Sequence, residues 1–150
     1  MSNSKYDGLK LENQLCFPLY ACSKEIIRRY RPFLDELDLT YTQYIVMMVF
    51  WERRKISVKE LGKNLFLDSG TLTPVLKSLE AKGYIRRYRS TEDERVLFAE
   101  MTESGEALKE SAITIPSRIG ECVCLDFDEA MQLYHLLYKV LNMFKEQGEA

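Results

Sequence analysis

Apolar residues recur every three to four positions along most of this chain, and that spacing predicts helices. The first amphipathic stretch covers residues 9 to about 38, with Leu11, Leu15, Ile26, Ile27 and Leu34 among its apolar positions. Two prolines interrupt it. Pro32 kinks the helix or starts a second piece. Pro18 leaves two readings open. A helix beginning near Phe17 has Pro18 in its first turn, where a missing N–H costs nothing. A helix running straight through loses a hydrogen bond near Gln14 and bends. A second helix is predicted from Thr40 to about Arg54, with Tyr44, Ile45, Met48, Val49 and Trp51 facing inward.

Ser57-Val58-Lys59-Glu60 has the capping-box pattern and opens a short third helix ending near Asn64. Asp68 and Ser69 suit the cap of a fourth helix, which runs to Lys82 and stops at Gly83. Pro74 keeps a later start open, with Thr73 as cap and Pro74 at the first helical position. The period then changes. Residues 84–88 and 96–101 read as two strands joined by a charged turn. Thr102 opens a fifth helix to about Ile119, and Asp126 caps a last one carrying Met131, Tyr134, Leu137, Leu141 and Phe144.

This order predicts a mainly α fold with a small β-hairpin: a winged helix-turn-helix over residues 40–101. The flanking helices, 9–38 and 103–147, are too apolar for one such unit to bury, so they are expected to pair with a second copy. A chain of 150 residues, 46% of them hydrophobic and 29% charged, has core enough for one domain over 1–150 and too little for two. No apolar run approaches the roughly 20 residues of a membrane span. The first eight residues lack the apolar core of a secretory signal, so a cytoplasmic location is expected.

The net charge of −2 argues mildly against nucleic acid, but its distribution argues for it. Residues 53–95 carry 11 Lys and Arg against 6 Asp and Glu, a net of +5 between two acidic ends. That is a footprint for a polyanion. Ser69, Thr71 and Thr73 are short donors and acceptors at the start of the second helix of the helix-turn-helix, where side chains reach base edges. Lys77 reaches a phosphate one turn on. These hydroxyls also suit capping, and Lys77 suits solvent; the basic hairpin beside them favours DNA. There Arg86, Arg87, Arg89 and Arg95 are available to neutralise phosphates.

The four cysteines, Cys16, Cys22, Cys122 and Cys124, are too few for a disulfide scaffold and irregularly spaced for zinc, so no metal is expected. Cys22 lies about 120° around and ~9 Å along a helix from Cys16, and reads as core filler. The single histidine, His135, reads as a surface or interface residue. There is no phosphate-binding glycine loop, metalloprotease motif or nucleophile elbow, which argues against an enzyme.

The segment from Leu67 to Glu80, with Glu92-Asp93-Glu94-Arg95, resembles the recognition helix and wing of the MarR family of bacterial regulators. Leu11-Glu12-Asn13-Gln14-Leu15-Cys16-Phe17, followed by Leu39-Thr40-Tyr41-Thr42-Gln43-Tyr44, resembles its thiol-based branch, the organic-hydroperoxide-resistance regulators. The resemblance spans roughly residues 9–145. It implies a homodimeric repressor that binds a pseudo-palindromic operator when reduced and releases it when an organic hydroperoxide oxidises one cysteine. No cofactor is implied. By the same resemblance Cys16 is the sensor, Tyr30 and Tyr41 hydrogen-bond its sulfur, Arg95 enters the minor groove, and Asp93 orients the Arg95 guanidinium. A resolving cysteine, Cys122 or Cys124, comes from the opposite subunit. Three other readings remain at this point: a MarR-type repressor released by an aromatic or phenolic ligand with Cys16 structural, a thiol peroxidase, and a winged-helix module that binds only protein.

Overall fold

The computed structural model describes residues 4–148; the first three residues of the segment read for a signal lie outside it. Two single turns of 3-10 helix, Asp7–Leu9 and Leu11–Asn13, precede α1 (Cys16–Asp35). The long first helix expected from residue 9 therefore starts seven residues later. Pro18 is the physical reason: it cannot donate to the Gln14 carbonyl, and at the third helical position its missing N–H is not needed. Pro32 lies inside α1, which runs on through it to Asp35.

Thr40 caps α2 (Tyr41–Arg53) with a reciprocal capping box: the Gln43 backbone N–H donates to Thr40 Oγ1 at 3.2 Å, and the Thr40 N–H donates to Gln43 Oε1 at 3.0 Å. The buried face of α2 is Gln43, Tyr44, Val46, Met47 and Phe50. Met48, expected inside, is exposed, and Ile45, Val49 and Trp51 are half-buried. Nine of the thirteen residues of α2 are apolar and they fall on nearly all sides of the helix, so periodicity could not fix its inward direction. Arg54, at φ 60°, turns the chain into β1 (Lys55–Ser57), a strand too short to show alternation in the sequence. Ser57 caps α3 (Val58–Leu65), and Asp68 caps α4 (Ser69–Ala81). The later start at Thr73 does not occur, and Pro74 is the sixth residue of α4, where proline costs up to roughly 3 kcal/mol. Gly83, at φ 80°, ends this stretch as expected, with the Tyr84 N–H reaching back to the Leu79 carbonyl at 3.1 Å.

β2 (Ile85–Arg89) and β3 (Leu97–Met101) form the hairpin, and β1 adds to its far side, giving an antiparallel sheet in the order β1-β3-β2. The expected fifth helix is two helices, α5 (Glu103–Ala112) and α6 (Ile115–Cys122). Pro116 separates them, because it cannot donate to the carbonyl of Ala112, where α5 ends. α7 (Phe127–Gly148) begins at a capping box between Asp126 and Glu129.

The core joins Leu34 of α1 to Met47 and Phe50 of α2, Leu61 of α3, Leu72, Leu76 and Leu79 of α4, and Ile85 of β2. α1 gives it little besides Leu34, and none of α7 is buried. Phe17, Leu19, Leu136, Tyr138 and Phe144 stand exposed on these two helices. Cys22, expected as filler, is exposed too, because the first half of α1 packs on no core of its own chain. No described helix is long and apolar enough to cross a membrane.

Candidate functional site

The start of α4 is fixed from two directions. Asp68 Oδ1 accepts the Thr71 backbone N–H at 2.8 Å, and Thr71 Oγ1 donates to Asp68 Oδ2 at 3.3 Å. The Thr71 backbone bond, above all, holds the Asp68 carboxyl below the usual aspartate value. Behind it, the buried Gln43 of α2 donates to Ser78 Oγ at 2.9 Å, and Lys82 pairs with Asp38 at 3.2 Å. α4 is thus locked on α2 with Leu72, Leu76 and Leu79 inward, while Ser69, Thr71 and Lys77 are exposed and Thr73 is half-buried. A cleft of about 1010 Å³ opens between α3, the start of α4 and the wing, and Ser69, Thr73 and Arg95 share its lining.

The wing arginines have different partners. Arg86 faces Glu100 across the β2–β3 register, with Nη2 2.8 Å from Oε2. Arg87 turns back to α4: its backbone N–H and its guanidinium both donate to Glu80, at 2.9 Å and 2.8 Å. These bonds hold the Glu80 carboxyl below the usual glutamate value and tie the wing to the helix beneath it. Arg89 donates to the Glu94 carbonyl at 2.9 Å and closes the turn. Arg95 extends into solvent, 91% exposed at its side chain, yet it is not loose. Asp93 accepts from it through both carboxylate oxygens, at 3.0 Å and 3.1 Å, which fixes the plane of the guanidinium. Glu80 and Glu100 were not singled out in the sequence; the signal for Glu100 was its register opposite Arg86.

Arg95→Ala is expected to weaken duplex binding and to lower the salt slope of log affinity by about one per protomer. Fluorescence anisotropy over a KCl series measures it. A wild-type slope would exclude phosphate contact by Arg95.

The second cluster surrounds Cys16. It is the first residue of α1, preceded by Leu15, which offers no side-chain cap, and followed by a first turn without an acidic residue. The partial positive charge of the helix start is therefore not offset by an acidic side chain of its own first turn. The rings of Tyr30 and Tyr41 pack 4.9 Å apart, with Tyr44 5.8 Å from Tyr30. Burial, with Tyr41 and Tyr44 adding to it, pushes the Tyr30 phenol up to about 12; burial also raises Tyr41. Cys16 and Tyr30 do not meet within one chain: fourteen residues of the same helix separate them by about 21 Å.

At the far end, the Arg118 guanidinium lies 3.9 Å from the centre of the Phe33 ring and 3.8 Å from Glu36, pinning α6 to the end of α1. Cys122 closes α6, its thiol 3.4 Å from the Arg118 carbonyl, and Cys124 lies in the link to α7; both are exposed. His135 sits edge-on to Tyr134 on α7.

Residues 28–112 match the family model described as transcriptional regulator SarA/Rot. An organic hydroperoxide resistance transcriptional regulator of Bacillus subtilis is 45% identical over 145 residues, 97% of this chain and 99% of that one. Among solved structures, reduced AbfR of Staphylococcus epidermidis bound to DNA superposes with a TM-score of 0.79 at 30% identity, over 96% of this chain and 99% of that one. A MarR variant from E. coli complexed with operator DNA gives 0.79 at 25% identity, over 93% and 99%.

Proposed function

Since the chain belongs to the MarR family, and within it to the organic-hydroperoxide-resistance regulators, we propose that it represses transcription as a DNA-bound homodimer and leaves its operator when an organic hydroperoxide oxidises Cys16. The observation that carries the sensing step is the place of Cys16 at an uncapped helix start. Backbone N–H groups at such a start have no intrahelical acceptor and face whatever anion is formed there.

The chemistry is short. The thiolate attacks the terminal oxygen of the hydroperoxide, the O–O bond breaks, an alcohol leaves after taking a proton, and Cys16 becomes a sulfenic acid. Cys122 or Cys124 of the partner subunit then condenses with it, forming a disulfide and releasing water. The 21 Å between Cys16 and its own Tyr30 supports a composite site, in which Tyr30 and Tyr41 of the partner subunit donate to the sulfur. The exposed apolar faces of α1 and α7 supply the surface such a dimer needs.

On the DNA side, α4 enters the major groove with Ser69, Thr71 and Thr73 toward the bases and Lys77 on a phosphate. Arg95, held by Asp93, reaches the minor groove. Arg86, Arg87 and Arg89 shape the wing and add positive potential to it. Oxidation draws the first helix toward the partner and moves the two recognition helices off the one-turn spacing that two half-sites require. The protein acts in the cytoplasm and reacts once per oxidation event; it does not turn over as an enzyme.

The test is anisotropy of a labelled duplex from upstream of the chain's own gene. Reduced protein is expected to bind it, and a modest excess of cumene hydroperoxide to abolish binding. Binding that survives the peroxide would overturn the thiol mechanism and leave a ligand-released repressor.

A further inference from the structure

Pro74 sits inside α4, on the helix that this reading places in the major groove. With Asp68 as cap, the N–H that would bond the Gly70 carbonyl belongs to residue 74, and proline has none. No side chain among the described residues donates to that carbonyl. Its place on the helix matters. Leu72, Leu76 and Leu79 are buried on one face of α4, while Gly70, Pro74 and Lys77 are exposed along the opposite one. At 100° per residue these three lie close to the middle of the outward stripe. Gly70 puts no side chain between the backbone and whatever approaches; a Cβ there would meet only Asp68 Oδ1, at 3.1 Å. The stripe thus carries a backbone carbonyl that has lost its helical donor, beside the exposed Pro74 ring, with Lys77 two turns beyond Gly70.

We propose that the Gly70 main-chain carbonyl, freed by Pro74, accepts a hydrogen bond from the exocyclic amine of an adenine or a cytosine and sets a base preference in each half-site. The choice of partner follows from donor chemistry. In free protein, water satisfies the exposed carbonyl. Against DNA that water is squeezed out, and a carbonyl left without a donor is costly. Phosphate oxygens, guanine O6 and N7 and thymine O4 are all acceptors. Only adenine N6 and cytosine N4 offer donors on the major-groove edge. The carbonyl therefore prefers A or C on one strand over G or T, at one position per half-site. The inference rests on α4 being the reading helix.

The experiment selects binding sites from a randomised duplex pool with wild type and Pro74→Ala, and sequences both outputs. The variant regains an N–H, so its Gly70 carbonyl returns to the helix, and its melting temperature rises. Wild type is expected to favour A or C over G or T by at least about fivefold at one position of each half-site. Pro74→Ala keeps the rest of the site and loses that preference. Nebularine, which lacks the amine of adenine, or zebularine, which lacks that of cytosine, is then placed at that position according to the base selected. It weakens wild-type binding and leaves Pro74→Ala unchanged, which also tells the two bases apart. Identical preferences in the two selections, or a wild type indifferent to loss of the amine, overturn the proposal while leaving α4 in the groove. A wild type that enriches no sequence at all overturns the DNA reading beneath it.

Discussion

Cys16→Ser is expected to stay on its operator at a concentration of cumene hydroperoxide that strips the wild type from it. Serine has the shape of cysteine and keeps the uncapped start of α1, so the reduced dimer and its DNA affinity are unchanged. Its hydroxyl is not oxidised by peroxides, so neither sulfenic acid nor disulfide follows. Wild type should fall toward nonspecific binding, roughly a thousandfold weaker or more, and the variant should not move. Anisotropy of the same labelled duplex, with both proteins side by side, reads the contrast. A Cys16→Ser protein released as readily as wild type would place the response elsewhere in the molecule.

Gly105→Ala is expected to cost roughly 3 kcal/mol of stability, at the upper end for overpacking by a single methyl. Gly105 is the third residue of α5, packed beneath the hinge between α4 and the sheet. A Cβ there would lie 2.3 Å from the Tyr84 carbonyl oxygen and 2.9 Å from Met101 Cγ. The side chain of Met101 can turn aside, but the carbonyl cannot, because it accepts the Thr102 N–H at 3.0 Å. The Gly105 carbonyl is held as well, by the Trp51 indole N–H at 2.9 Å. Relief therefore means moving α5 away from α2 and the sheet. Circular dichroism melts at matched protein concentration should show a fall of roughly 6–12 °C. A fall under about 2 °C would mean that the backbone gives way more easily than these bonds allow.

Much of this architecture was legible because its punctuation is local. Thr40, Ser57, Asp68, Thr102 and Asp126 each stand just before the helix they cap, and Gly83 takes the positive φ that ends α4. The sequence signal failed where the deciding partner is distant or the pattern saturated. β1 exists because β3 offers it an edge, which three residues cannot announce. α2 is apolar on nearly all sides, so its inward face was set by Gln43 bonding Ser78, 35 residues away. The split between α5 and α6 comes from Pro116, which lies inside a stretch whose spacing otherwise predicts one helix. At the candidate site, Asp93 and Arg95 are two residues apart and could be paired on sight. The engagement of Arg87 by Glu80 needed the tertiary structure, since a strand residue and a helix residue meet only once both are packed.

The phenol of Tyr30, raised to about 12 by its surroundings, has a consequence for what the cell can signal. At pH 9 about one such phenol in a thousand would have lost its proton. The phenol that the proposed composite site offers to the sulfur anion thus keeps its proton at that pH. A moderate rise in alkalinity therefore does not discharge the Tyr30 phenol. On the proposed reading, the signal on the alkaline side comes from the oxidation state of the sulfur and not from the charge of the Tyr30 phenol.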